Sequence, residues 1–403
     1  MTVSPARRAA YETLLRVFEQ DAYADRAFRT AARELDDRDR AFAQRLAYGA
    51  VQRVRTLDHA IETLGKRPVR KLDAPVRAAL RLGAYQLGYT DTAPHAAANE
   101  SVELVRRARL ERAVPFTNAV MRRLAAGIRD LLDGLPEGAL KESYPDWIHE
   151  TFVRDLGVAA AVALERAMNE PLETVIRLVQ GDPPSGAEPT DVPGAYRVER
   201  VDDLAVAEGR IWPQSRGSQL AGLAVGAGEG ERVLDLCAAP GGKTSQLAGD
   251  VTAVEIDQGR ARELRANLVT LRHGATVVEA DGTELPPELT GFDRVLLDAP
   301  CSGLGVLAQR PDLRWRASPL PELQLALLRA AVERVKPGGT IVYSVCTMNA
   351  DENEAVVDAS GLEVDASLAD EWPQFVHPRR PEFLLTLPHV HGTSGFFIGR
   401  LKA

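Results

Sequence analysis

The sequence predicts a multidomain chain with three parts in order: an all-α region, a short α+β connector and a C-terminal α/β domain with a parallel sheet. Three observations carry this. At 403 residues the chain is longer than a single domain of ordinary size. Through residue 133, apolar positions recur at three- and four-residue spacing, and no alternating strand pattern interrupts them. From Gln219 onward, short apolar runs alternate with helical patterns, which argues for parallel strands covered on both faces.

The first region, 1–137, reads as an all-α domain. Segments 5–20, 38–54 and 76–88 carry the helical spacing, and Pro68, Pro75, Pro94 and Pro115 fall between such segments. The second, 138–215, opens on a turn-rich stretch. It continues with a helix pair near 147–157 and 159–169, a strand in TVIRLVQ (174–180), and the loop GDPPSGAEPTDVPG. The third, 216–403, holds the strands RVLDLCA (232–238), VTAVEID (251–257), ATVVEAD (275–281), FDRVLLDAP (292–300) and GTIVYSVCT (339–347). Helices are expected over 260–271 and 321–335, and the tail GFFIGRLK (395–402) reads as a final strand.

Composition excludes several classes. With 45% hydrophobic and 26% charged residues, the chain is neither largely disordered, collagen-like nor a small disulfide scaffold. No run approaches the roughly 18 apolar residues that a membrane helix needs. The opening MTVSPARRAAYETLL lacks the apolar stretch of a secretion signal, so a cytoplasmic protein without membrane contact is expected. Cys237, Cys301 and Cys346 form no C-x-x-C pair, so neither a metal site nor a disulfide framework is expected. The net charge of −8 hides an asymmetry: residues 1–130 carry 24 basic against 16 acidic residues, and the remainder 25 against 41. A basic half points to a polyanionic partner. Only six of the 49 basic residues are lysine, so genome base composition accounts for the arginines equally well, and charge alone leaves nucleic-acid binding open.

The first strand of the α/β domain runs into Cys237, Ala238, Ala239, Pro240, Gly241, Gly242 and Lys243. Paired glycines there let the backbone approach a ligand closely where a helix is expected to begin. Glu255 ends the second strand, where an open α/β sheet places an acid to hold a ribose. Asp281 ends the third strand, within reach of a base ring, and Asp298 ends the fourth. Asp257 is expected to cap the following helix. The string GGKT is not a phosphate-binding P-loop, because Cys237 stands where that motif needs glycine, and no G-x-G-x-x-G is present. A carboxylate on the second strand without a phosphate cradle suits a nucleoside cofactor without phosphates, such as S-adenosylmethionine.

Cys301 and Cys346 fall at the ends of the fourth and fifth strands. A strand-end cysteine is most often a small buried hydrophobe. Two of them, on neighbouring strands beside Asp298, point to chemistry. Carbon 5 of a pyrimidine is too weak a nucleophile to take a methyl group unaided. A thiolate adding to carbon 6 turns carbon 5 into an enamine-like nucleophile, which is covalent catalysis. Asp298 is placed to stabilise the adduct near ring N3. The residues alone leave open which thiol attacks. Cys237 is read as core or as a wall of the cofactor pocket.

The strings LDLCAAPGGKTSQLA, VEID, DRVLLDAPCSGLGVLAQRPDLRW and YSVCTMNADENE resemble the RNA 5-methylcytosine methyltransferases of the Sun/Nop type. DRDRAFAQRLAYGAVQR, RAALRLGAYQLGY and FTNAVMRR are similar to the NusB-like helical domain found on one member. The resemblance covers nearly the whole chain. It implies a NusB-like RNA-binding bundle at 1–137 and linker helices with a small connector at 138–215. It further implies a Rossmann-like class I methyltransferase domain at 216–403, with a mostly parallel seven-stranded sheet. By resemblance, the 237–243 loop would cradle S-adenosylmethionine, Glu255 bind its ribose, Asp281 its adenine, and Asp298 lie beside its methionine part. Cys346 would be the nucleophile and Cys301 would assist product release. Two departures are visible. The family's Thr-Cys-Ser around the nucleophile is here Val345-Cys346-Thr347, and its Gln-Asp ahead of the core is Gln214-Ser215. Arg310, Arg314, Trp315 and Arg316 follow Cys301 and could stack on or steer RNA.

The expected activity is therefore transfer of a methyl group from S-adenosylmethionine to carbon 5 of an RNA cytosine, in 16S (small-subunit) ribosomal RNA, by a monomer. Transfer RNA is the alternative substrate, which the catalytic strings do not separate. Outside that chemistry stand a NusB-like RNA-binding factor with a vestigial methyltransferase core, and a methyltransferase for proteins or small molecules.

Overall fold

The computed structural model describes residues 3–403. The chain forms two compact units, Met1–Glu170 with Leu307–Arg316, and Pro171–Val306 with Ala317–Ala403. The division differs from the boundaries expected at 137 and 215, because the connector is shared between the two units.

The helical unit contains α1 (Pro5–Glu19), α2 (Ala24–Ala31), α3 (Asp37–Gln52), α4 (Val54–Gly65), α5 (Ala74–Tyr89), α6 (Pro94–Arg107) and α7 (Val114–Asp133). Pro75, Pro94 and Pro115 sit in the first two positions of α5, α6 and α7. They start helices, as a residue without an N–H and with a preset φ should, and do not merely separate them. Asp36 caps α3 by accepting from the Asp39 N–H at 2.8 Å. One apolar core joins these helices, with the middle of α5 buried from Ala78 to Leu82. Three further helices, α8 (Ala139–Glu142), α9 (Asp146–Leu156) and α10 (Val158–Ala167), complete the unit. Their attachment is specific: Ser143 Oγ accepts from the N–H groups of Arg55 and Thr56 at 3.1 and 3.3 Å, and Thr56 Oγ1 donates to the Leu140 carbonyl at 2.6 Å.

Residues 307–316 pack with this helical unit, which corrects the reading of Arg314 as part of an RNA surface; Arg310, Trp315 and Arg316 are half-buried. Arg314 is 1% exposed. Its guanidinium donates to the carbonyls of Gln52 (3.3 Å) and Met168 (3.0 Å) and to Asn169 Oδ1 (2.7 Å), and lies 4.0 Å from the Tyr144 ring centroid. Burial lowers its pKa to about 10. Trp315 Nε1 donates to the Val51 carbonyl at 2.7 Å. Arg310 and Arg316 both stand over the Tyr23 ring, and Arg316 pairs with Asp21 at 3.1 Å. Arg314 is thus enclosed by the helical core and not available to stack on RNA, while Trp315 packs against that core. Arg314→Met should strand three buried acceptors and cost about 3 kcal/mol. That corresponds to a fall of roughly 10 °C in the thermal midpoint followed by circular dichroism. A midpoint within about 2 °C of wild type would show that the buried guanidinium does not hold this unit together.

The second unit begins with a small antiparallel sheet of β1 (Val175–Leu178), β2 (Glu188–Pro189), β3 (Ala195–Arg197) and β4 (Ile211–Pro213), in the order β2-β3-β1-β4. The large sheet contains β5 (Arg232–Leu236), β6 (Asp250–Glu255), β7 (Thr276–Glu279), β8 (Phe292–Asp298), β9 (Val335–Val345), β10 (Glu363–Val364), β11 (Leu384–Thr386) and β12 (Phe396–Lys402). Its order is β10-β12-β9-β8-β5-β6-β7, with β11 also paired to β12. It has eight strands, not the expected seven, and is mixed. The β7-β6-β5-β8-β9 part is parallel, and β12 pairs antiparallel with β9, β10 and β11. The runs Val233–Leu234 of β5, Val295–Leu297 of β8 and Ile341–Tyr343 of β9 are apolar and buried because both faces of the sheet are covered there. Among the described residues, no helix is long and apolar enough to cross a membrane.

Candidate active site

The site is built along the carboxyl edge of the parallel strands, where an open α/β sheet binds ligands. Asp235 lies one residue from the end of β5, Glu255 closes β6, Asp298 closes β8, and Cys346 follows β9. Register fixes part of this directly, since Asp298 pairs with Ser344 across β8 and β9. Asp281 is the exception: β7 ends at Glu279, so Asp281 stands two residues beyond the strand and is exposed. Its Oδ1 accepts from the N–H and hydroxyl of Thr283 at 2.8 and 2.7 Å, which holds its pKa below the usual value.

The 237–243 loop leaves β5 through Cys237 in a left-handed conformation (φ 63°). The Ala238 N–H donates to the Val254 carbonyl at 2.9 Å, tying the loop to β6, and the Gly241 N–H returns to the Ala238 carbonyl at 2.9 Å. Gly241 has φ 103°, and a Cβ there would meet Leu264 at 2.8 Å, so only glycine fits. The helix Gln258–Thr270 clamps the loop from outside: Arg260 donates to the Ala239 carbonyl (3.0 Å) and Asn267 to the Pro240 carbonyl (2.9 Å). Asp257 caps that helix through the Arg260 N–H at 2.8 Å, as the sequence predicts. The expected helix after the loop is replaced by a single 3-10 turn, Thr244–Gln246. Thr244 Oγ1 donates to Asp235 Oδ2 at 2.6 Å, which fastens that turn under the sheet. Burial raises the Asp235 pKa to about 7 and pushes the Cys237 thiol up to about 12. Cys237 is therefore a protonated wall of the loop.

Glu255 fits a hydroxyl-bearing ligand. It is 2% exposed, and Oε1 accepts from the Asp257 N–H at 3.0 Å. Oε2 is buried with no hydrogen-bond donor, although the Arg260 guanidinium stands 3.3 Å away. A buried carboxylate oxygen that accepts no hydrogen bond from the protein suits a ribose hydroxyl.

At the other end of the edge, Cys301 Sγ and Cys346 Sγ are 3.4 Å apart. Either sulfur can donate in this contact; with Cys346 as the thiolate, the Cys301 thiol is the donor. The hydrogen bond raises the Cys301 pKa well above the ordinary thiol value and lowers that of Cys346. The Lys243 ammonium acts on Cys346 in the same downward direction. Lys243 Nζ donates to Asp298 Oδ2 at 2.6 Å, and Ser344 Oγ donates to Asp298 Oδ1 at 2.8 Å. The fold therefore assembles Lys243, Asp298, Ser344, Cys301 and Cys346 around one point. A lowered-pKa thiol next to a fixed cation–carboxylate pair is the arrangement of a nucleophile awaiting an electrophilic carbon. Among the described residues, no group of His, Cys, Asp or Glu side chains could hold a metal ion.

Three contributors escape sequence reasoning. Trp212 Nε1 would lie 2.8 Å from a Cβ at Gly242, so the small sheet backs the loop. Arg177 of β1 donates to Ser245 Oγ (2.6 Å) and Gln214 Oε1 (3.1 Å), bracing the same 3-10 turn. Glu352 is completely buried and accepts from Ser302, next to Cys301. None has a local signature. Trp212 and Arg177 lie in a connector of irregular pattern, and Glu352 sits in the charged string NADENE.

Residues 223–402 match the family described as 16S rRNA methyltransferase RsmB/F, and residues 4–126 match the NusB family. A relative from Synechocystis sp., named "Probable ribosomal RNA small subunit methyltransferase B", is 34% identical and covers 98% of this chain and 99% of its own. The ribosomal RNA small subunit methyltransferase B of Salmonella newport is 30% identical, covering 98% of each chain. The crystal structure of PH0851 covers 100% of both chains with a TM-score of 0.79 at 23% identity, and so shares the fold.

Proposed function

The chain belongs to the RsmB/F family of 16S rRNA methyltransferases, and on that premise we propose that it methylates carbon 5 of a cytosine in small-subunit ribosomal RNA through a covalent bond between Cys346 and carbon 6. The observation that carries the reading is the 3.4 Å pair of thiols beside the Lys243–Asp298 pair. Methyl transfer to a ring nitrogen, a hydroxyl or a protein side chain needs neither thiol.

Cys346 Sγ adds to carbon 6, opening the carbon 5–carbon 6 double bond and sending negative charge into the ring toward N3. The Lys243–Asp298 pair meets that charge: the ammonium offsets it, and the carboxylate accepts a hydrogen bond from the ring's amino group. When bound, S-adenosylmethionine supplies the electrophilic methyl group that carbon 5 takes. Carbon 5 then loses its proton to water, the bond between Sγ and carbon 6 breaks, and the electron pair returns to Cys346. Cys301 donates to that departing sulfur, and a thiolate of lower pKa leaves faster. The target base has to be unpaired or turned out of its stem for Cys346 to reach carbon 6.

Glu255 and the 237–243 loop are the proposed seat of S-adenosylmethionine, with Oε2, which Arg260 faces at 3.3 Å, taking a ribose hydroxyl. Glu255→Gln keeps the shape and one acceptor but loses the charge. It is expected to weaken S-adenosylmethionine binding about tenfold by calorimetry, some 1.4 kcal/mol. An unchanged Kd would remove Glu255 from the cofactor site. The reaction itself is tested by bisulfite sequencing of protein-free small-subunit ribosomal RNA after incubation with enzyme and S-adenosylmethionine. One newly protected cytosine is expected. Protection of transfer RNA alone would keep the chemistry and change the substrate, and protection of neither would contradict the proposal.

A further inference from the structure

Glu352 is a carboxylate with 0% exposure and, among the described residues, no salt-bridge partner within 4 Å. A buried carboxylate without a cation is costly unless hydrogen bonds surround it. Here they do. Oε1 accepts from the Ser302 N–H (2.9 Å), the Leu320 N–H (3.1 Å) and Gln324 Nε2 (3.0 Å). Oε2 accepts from the Ser302 hydroxyl and, at 3.4 Å, from Asn349 Nδ2.

The donors are not scattered. Ser302 is the residue after Cys301, and Gln324 Nε2 also donates to the carbonyl of Pro300, the residue before it, at 2.9 Å. Cys301 is therefore held on both sides by groups that meet at Glu352 Oε1. Ser302 Oγ lies 3.0 Å from the hydroxyl of Thr347, the residue after Cys346. The Glu352 carbonyl accepts from the Tyr343 hydroxyl at 2.6 Å, which secures Glu352 to β9, the strand that delivers Cys346. The Glu352 side chain thus holds the Cys301 turn, and its main-chain carbonyl together with the Ser302–Thr347 contact ties that turn to the Cys346 turn; the 3.4 Å contact between the sulfurs lies within that frame.

We infer that Glu352 is a positioning residue for product release: it holds the Cys301 thiol against Cys346 Sγ so that the thiol can donate as the bond to carbon 6 breaks. The inference rests on the covalent mechanism proposed above. In the release step carbon 5 gives its proton to water, the Sγ–carbon 6 bond breaks, its electron pair returns to Cys346, and the ring double bond re-forms. The hydrogen bond from Cys301 depends on Glu352, whereas the Lys243 ammonium that also favours the Cys346 thiolate does not, so attack survives the loss of Glu352 better than release does.

The test compares Glu352→Ala, Glu352→Gln, Ser302→Ala and Cys301→Ala in the full chain with small-subunit ribosomal RNA and S-adenosylmethionine. Covalent complexes are read on denaturing gels beside turnover and the KM for the cofactor. Glu352→Ala should lower turnover about 100-fold, the cost of misplacing a reacting group by about 1 Å. It should accumulate a protein–RNA complex as Cys301→Ala does, with the cofactor KM unchanged. Glu352→Gln keeps an acceptor for the three Oε1 donors and should restore most of the turnover. Should Glu352→Ala fail to fold, Ser302→Ala, which keeps the backbone N–H and loses only the hydroxyl, is expected to show the same complex in smaller amount. Loss of turnover without a complex, or wild-type turnover in Glu352→Ala and Ser302→Ala, would overturn the assignment while Cys301→Ala still traps RNA. If Cys301→Ala itself traps nothing, the covalent mechanism is what fails, and this role fails with it.

Discussion

Cys346→Ala is expected to abolish methylation of ribosomal RNA, with turnover at least about 10³-fold below wild type. Carbon 5 of cytosine becomes nucleophilic only after a thiolate has added at carbon 6, and no other side chain in the site offers that thiolate. The neighbouring sulfur of Cys301 is a poor substitute: the substitution removes its contact with Cys346, but burial and the Glu352 carboxylate still push its thiol pKa up. Cys237 is no better, since burial keeps its thiol protonated. The cofactor loop, Glu255 and Asp235 make no hydrogen bond to Cys346, whose sulfur contact is to Cys301. S-adenosylmethionine should therefore bind Cys346→Ala with a Kd within about twofold of wild type, less than about 0.5 kcal/mol. Residual methylation close to the wild-type rate would exclude Cys346 as the nucleophile.

Cys301→Ala has the second large effect and a different signature. The first bond to carbon 6 still forms, though more slowly, because the Lys243 ammonium still favours the Cys346 thiolate once the Cys301 donor is gone. What is lost is the donor that stabilises negative charge on Cys346 Sγ as it departs. A thiolate without that hydrogen bond is a poorer leaving group, so the methylated adduct should persist. The expected result is a covalent protein–RNA complex that survives denaturation, with turnover down about 10²-fold or more. The same complex formed by Cys346→Ala, and not by Cys301→Ala, would exchange the roles of the two cysteines.

Much of this site was legible because its determinants are local. Glu255 and Asp298 close the strands in which the sequence places them, and Asp257 caps the helix that follows. The hydrophobic pattern marks six strands of the large sheet. The two it misses, β10 and β11, are two and three residues long, too short to show a period. Other features depend on contacts between residues far apart in the chain. The Thr244–Gln246 turn does not extend into a helix, and Arg177 and Asp235, from two different strands, hold it where it is. QRPDLRW reads as an exposed basic loop, yet Arg314 meets carbonyls contributed by residues 52 and 168. Glu352 lies in the family-like string YSVCTMNADENE, but its burial is not visible there, because its donors come from residues 302, 320, 324 and 349. Buried charge of this kind is decided by the partners that fold around it, and no local spacing announces them.

The central claim is that a bond forms between Cys346 and a cytosine of small-subunit ribosomal RNA. It is tested most directly by supplying the wild-type enzyme with S-adenosylmethionine and RNA carrying 5-fluorocytidine. Fluorine at carbon 5 cannot leave as a proton does, so the methylated adduct is arrested before release. Peptide mass spectrometry of the trapped complex should find the nucleotide on Cys346 alone. A nucleotide on Cys301, or methyl transfer to unmodified RNA with no trapped complex from the fluorinated RNA, would contradict the account.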